Sequence, residues 1–152
     1  MKNKSVLLGI LIIIVVIFAT GCMFDYLKAQ DFKEHFGALG YTISDKEEPK
    51  YDTGNSYLVA TKEDMPFKIE YYEFDEEVEA KKAYEKYKDD IVKYITKSTK
   101  NKEVYGNFYK KTVAESEADY IVISRVKNSL IFIDAENAYK AEIDKLLEDI
   151  EY

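Results

Sequence analysis

Chemistry in this chain would have to come from one cysteine, one histidine, one arginine and a large supply of carboxylates and phenols. A nucleophilic hydrolase needs an activated Ser, Cys or Thr with a base to take its proton, usually a histidine. His35 is the only imidazole, and it sits within one turn of Phe32 and Phe36, so it reads as a helix-surface or core-edge residue. No Gly-x-Ser-x-Gly, Ser-x-x-Lys or phosphate-binding glycine loop occurs. No catalytic residue is assigned, and the chain is expected not to be an enzyme. Zinc and copper want His and Cys ligands in numbers that one of each cannot supply. Glu73, Asp75, Glu76, Glu77 and Glu79 are dense enough to interest calcium, but their spacing is that of a strand end running into a capped helix. No metal and no cofactor is expected. Arg125, the single arginine beside 21 lysines, is the remaining candidate: its planar fork suits a bidentate carboxylate, either in a ligand or in a strand-end ion pair with the acidic helix start.

Cys22 is read through what precedes it. Lys2 and Lys4 are followed by the apolar run Val6 to Phe18 and then by the small residues Ala19, Thr20 and Gly21, the order of an export signal with a cleavage site. The junction Ala19-Thr20-Gly21-Cys22 resembles the lipobox of bacterial lipoproteins. That resemblance implies that Cys22 is diacylated, that cleavage follows Gly21, and that Cys22 becomes the mature N-terminus. Two other readings use the same residues. Val6 to Phe24 holds 19 mostly apolar residues, near the roughly 20 that span a bilayer; and an ordinary secretory signal would release a soluble protein. All three put residues 23–152 on the extracytoplasmic side, because the two lysines hold the N-terminus inside. Two acyl chains make the attachment effectively stable where one is marginal.

Removal of residues 1–21 leaves 131 residues with 20 basic against 29 acidic side chains, a net charge of −9. That length is one domain with one core. A net acidic domain without a basic cluster argues against nucleic acid and against attraction to anionic lipid. With Cys22 acylated no disulfide is available, so packing has to hold the fold. The 14 tyrosines, with no tryptophan, are expected to fill half-buried positions, ring inward and hydroxyl toward water.

The elements that must position these groups follow from periodicity. Met23 to Gln30 forms a tether of at most roughly 28 Å, and Phe24, Tyr26 and Leu27 give it the character of a packing or interfacial segment. Asp31 and Glu34 have capping-box spacing, Phe32, Phe36 and Leu39 share a helical face, and Gly40 can close a helix. Strands are expected over 41–45, 55–61 and 67–74, with 46–55 as a loop. In the last strand Phe67, Ile69 and Tyr71 alternate with Lys68, Glu70 and Tyr72, which predicts one dry face. Asp75 is a natural N-cap for a long helix whose stripe is Ala80, Ala83, Tyr84, Tyr87, Ile91, Tyr94 and Ile95. A bent strand or short hairpin follows over 103–114, then a clear hairpin of 120–125 and 129–134, and a last helix from about Glu136. Residues 56–62 and 119–125 run parallel in type and spacing, which fits either a distant duplication or the recurrence of strand-strand-helix units under the same packing rules.

The expected architecture is α+β: a signal over 1–21, a lipidated cysteine and tether over 22–30, and a single domain over 31–152. In it a short N-terminal helix and two strands-then-helix halves pool their strands into an antiparallel sheet with helices packed on one face. The whole chain resembles the small lipoproteins of low-GC Gram-positive bacteria, a group of unassigned function. The expected role is a non-enzymatic binding module on the cell membrane, with the membrane reached through Cys22, another envelope protein as partner, and no nucleic acid. The alternative is a small-ligand receptor with a tyrosine-lined groove.

Overall fold

The computed structural model describes residues 26–45, 48–49, 55–94, 100–106 and 108–152, with backbone alone at 92–94, 100–103 and 105. In chain order the elements are α1 (Ala29–Ala38), β1 (Thr42–Ser44), β2 (Ser56–Lys62), β3 (Met65–Glu73), α2 (Glu77–Tyr94), β4 (Lys100–Tyr105), β5 (Tyr109–Glu115), β6 (Asp119–Val126), β7 (Ser129–Glu136), a 3-10 turn (Asn137–Tyr139) and α3 (Lys140–Asp149). Among the described residues the strands form one antiparallel sheet of seven in the order β1-β2-β3-β7-β6-β5-β4. The fold is α+β. No described helix is long and apolar enough to cross a membrane.

The ends of α1 follow from its residues. The Lys28 amide donates to the Asp31 carboxylate at 3.4 Å, and at the other end Gly40, at φ +83°, lets the Tyr41 amide fold back to the Phe36 carbonyl at 3.0 Å. Phe32 and Phe36 are buried, whereas Leu39 falls beyond the last turn and is exposed. Asp75 does not cap α2. That helix starts two residues later, over the Glu76 carbonyl, because the Asp75 carboxylate is taken by the Asn55 side-chain amide at 2.5 Å. The segment over 103–114 is a hairpin of β4 and β5, closed where the Gly106 amide donates to the Tyr109 carbonyl at 2.8 Å.

Helices cover both faces of the sheet, not one. On the first face α1 and α3 close over Leu58, Ile69, Tyr71, Val122, Ile131 and Ile133. On the second face α2 lays Ala80, Ala83, Tyr84, Tyr87 and Ile91 on Tyr72, Ile123 and Leu130. The alternation in β3 pointed to a single dry face because Glu70 and Tyr72 look like solvent residues. Both are buried, since each satisfies the other: the Tyr72 hydroxyl donates to Glu70 Oε2 at 2.6 Å. Burial of a polar residue is cheap when its partner is buried with it.

The two strand-strand-helix units have opposite hand. β2-β3 sends its helix to the second face and β6-β7 sends its helix to the first, so no rotation superposes them. Tyr57 and Tyr120, equivalent in sequence spacing, accordingly point to opposite faces. Shared packing rules explain the parallel between them.

Candidate functional site

Cys22 and Gly21 lie outside the described residues, as does the signal segment before them. The chain is described from Tyr26, and there it is already docked. Tyr26, Leu27 and Ala29 pack against the core under α1; the Tyr71 hydroxyl donates to the Leu27 carbonyl at 2.5 Å; and the Ala29 amide donates to Glu73 Oε2 at 3.0 Å. Tyr152 is buried beside the same segment, and its hydroxyl meets Ser129 Oγ.

Arg125, next to last in β6, lies on the second face and is 4 % exposed. Its Nη1 donates to Glu77 Oε1 at 3.2 Å and to the Lys127 carbonyl at 2.7 Å, so it ties the β6–β7 turn to the first turn of α2. Lys81, through a hydrogen bond, and then Arg125 hold the Glu77 carboxyl below its ordinary range. Glu73, Asp75 and Glu77 thus each hold a different protein group. Among the described residues no three His, Cys, Asp or Glu side chains gather as a metal set. His35 sits half-buried on α1, its ring edge-on to Phe36 at 5.2 Å.

Two grooves flank the β6 region. The first, about 320 Å³, lies on the second face near the C-terminal half of α2. Tyr87, Phe132, Ile91 and Ile121 form its floor, and Asp90, Asp119 and Asp134 its walls. Tyr87 and Phe132 meet at a centroid distance of 4.9 Å. Beneath the floor runs a chain of polar groups that sequence spacing did not reveal. The Tyr87 hydroxyl meets that of Tyr72; Tyr72 and Tyr57, the latter at 3.2 Å, both donate to Glu70 Oε2; and Lys68 closes the other oxygen at 3.1 Å. Burial first, and the Glu70 carboxylate after it, push the Tyr57 phenol up to about 12; Tyr72 is raised further for the same leading reason. The Tyr57 and Tyr72 phenols stay protonated at neutral pH and donate to the Glu70 carboxylate.

The second groove, about 440 Å³, runs along the first face where β4 and β5 extend past α3. Val104, Tyr109 and Val113 give it an apolar strip, and Lys111, Glu115, Tyr120, Lys140 and Asp144 a charged one. Lys140 Nζ donates to Asp144 Oδ2 at 2.9 Å and lies 4.3 Å above the Tyr120 ring, whose hydroxyl donates to the other Asp144 oxygen. Burial works against Asp144 ionising, yet the bonds from Tyr120 and Lys140 together hold its carboxyl below the usual range. Burial, then Asp144, pushes Tyr120 up to about 12.

No protein family, characterised protein or solved structure matches this chain. The functional reading therefore rests on its own residues.

Proposed function

We propose that this chain is a lipid-anchored, non-enzymatic binding module on the extracytoplasmic face of a bacterial membrane, held through Cys22 and engaging another envelope protein along the β4–β5 side of its sheet. The observation that carries the reading is the succession of Lys2, Lys4, the run Val6 to Phe18 and Ala19-Thr20-Gly21-Cys22, joined to a domain whose chain is packed in place from Tyr26 onward. The groove on the first face supports the choice of surface. Its apolar strip is flanked by charges of both signs, and β4 beside it is an edge strand. The binding role, as opposed to catalysis, is supported by how its polar groups are used: Tyr120, Lys140 and Asp144 are closed on one another, and the imidazole lies on α1.

A photo-crosslinking residue in place of Val113, in intact cells, should give one dominant protein adduct, lost when Lys111 and Lys140 are both changed to Glu. The same residue in place of the exposed Lys33 on α1 should give none. Equal labelling from both positions would remove the assignment of the groove.

A second reading is supported by the aromatic floor and carboxylate walls of the groove on α2, which fit a small cationic ligand. Native mass spectrometry of membrane-extracted protein would reveal it as a bound small mass that disappears in Phe132→Ala.

A further inference from the structure

The sheet has two ends, and the registers sort the turns between them. One end carries the start of β2, the end of β3, the Lys127–Asn128 turn, Gly106 and Phe108 between β4 and β5, and the first turn of α2. The Phe74 amide reaches the Asn128 carbonyl at 2.9 Å and the Lys127 amide reaches the Phe108 carbonyl at 2.8 Å, which binds these segments into one surface. The other end carries the Glu63–Asp64 turn, Ser116–Ala118, the start of α3 and Leu39.

Leu27 and Ala29 are fastened to the first end, at Tyr71 and Glu73. Four Cα steps separate Cys22 from Tyr26 and reach at most roughly 14 Å. The eight residues of β6 span roughly 26 Å, so with the sheet upright on its tether the opposite end stands clear of the bilayer. The exposed apolar side chains follow the same division. Of the four large ones among the described residues, Phe108 (51 % exposed), Val78 (47 %) and Val104 (40 %) are at or near the tethered end, and Leu39 alone is at the other.

We propose that the tethered end is a membrane-contact surface, with Phe108 at the tip of the β4–β5 turn entering the headgroup region beside Lys127 and with Val104 behind it. The proposal rests on the anchor at Cys22. Its occupant is the outer leaflet itself, and the attraction is apolar: a domain of net charge −9 gains nothing from anionic lipid as a whole, while the tether keeps Phe108 at a high local concentration of interface. The consequence is orientation. The far end, with the Asp119 and Asp134 walls of the aromatic groove, points away from the bilayer and is presented to the envelope.

The chain lacks tryptophan, so one introduced tryptophan reports alone. The full chain carrying Phe108→Trp, and separately Leu39→Trp, would be produced in a lipoprotein-processing bacterium and reconstituted in phosphatidylglycerol–phosphatidylethanolamine vesicles. Acylation would be read by mass and binding by flotation. Tryptophan at 108 should shift to the blue relative to detergent-free urea-treated protein, lose most of its emission to headgroup-nitroxide lipid, and keep both effects at high salt; tryptophan at 39 should show neither. Val104→Trp serves as the second reporter on the same surface, with partial quenching expected. Acylated, vesicle-bound protein with unquenched tryptophan at 108 and 104, or with the stronger quenching at 39, would overturn the surface and leave the anchor standing. An unmodified Cys22 with no flotation would remove the anchor and, with it, this proposal.

Discussion

The hydroxyl of Tyr71 donates to the carbonyl of Leu27 across 2.5 Å, linking a central strand to the segment that leads to the cysteine. Tyr71 is fully buried between Phe32 and the core, and burial pushes its phenol far up, with Tyr152 and Glu73 adding to the effect. The bond has the geometry of a lock on the tether.

Tyr71→Phe should therefore cost about 1–2 kcal/mol, because the Leu27 carbonyl is left without this donor in a half-buried place. Urea unfolding would read the loss. Limited proteolysis of the folded variant should cut between residues 23 and 28 faster than in the parent, and unchanged cutting would show that the packing of Tyr26 and Leu27 holds the segment unaided.

Arg125→Lys should lower stability by about 1–3 kcal/mol, since the Nη1 that meets Glu77 and the Lys127 carbonyl from a buried position gives way to a shorter-reaching, more strongly hydrated ammonium. Adduct formation at Val113 should be unchanged, because Arg125 is on the other face. Retained stability with lost adduct would instead mark Arg125 as part of a binding site.

Alkaline pH should unfold the domain in a window set by its phenols. Tyr41, Tyr57 and Tyr120 are raised from the model-compound value of 10.0 to about 12, by burial first and by nearby Glu142, Glu70 and Asp144 after it. A raised folded-state value means the unfolded chain releases these protons first. Their contribution is complete below pH 10 and is lost as pH climbs toward 12. Tyrosinate absorbance and far-ultraviolet circular dichroism should change together; phenols titrating smoothly near 10 with the fold intact would contradict the burial described above.

Cys22→Ser should abolish acylation, so that mass analysis finds no diacylglyceryl group on the chain, with no change in the unfolding curve of the domain. The acyl chains act on attachment alone, at about 0.8 kcal/mol per buried methylene. Parent protein found membrane-bound with Met1 present and the Cys22 thiol bare would favour the spanning-helix reading of residues 6–24.

Much of the local structure was legible in the residues. Gly40 marked the end of α1, Phe67, Ile69 and Tyr71 gave the inner face of β3, and Ala80 to Ile91 gave the stripe of α2, because each depends on backbone pitch and on neighbours within a turn. The grooves were not legible. The Tyr87 and Phe132 floor joins residues 45 apart, and the Tyr120, Lys140 and Asp144 set joins β6 to α3. Glu70 misled for the same reason: a carboxylate reads as solvent-facing until the phenols of Tyr57 and Tyr72 are placed beside it.

By itself the sequence determined which stretches are strands and helices, that the domain is acidic, and that a lone cysteine follows three small residues behind an apolar run. Only the tertiary structure decided the strand order, the placing of α2 opposite α1 and α3, and the fastening of Leu27 to Tyr71. Periodicity records whether a residue is covered but not by what. The face a helix takes is set by a crossover between distant strands, and that choice changes no local spacing.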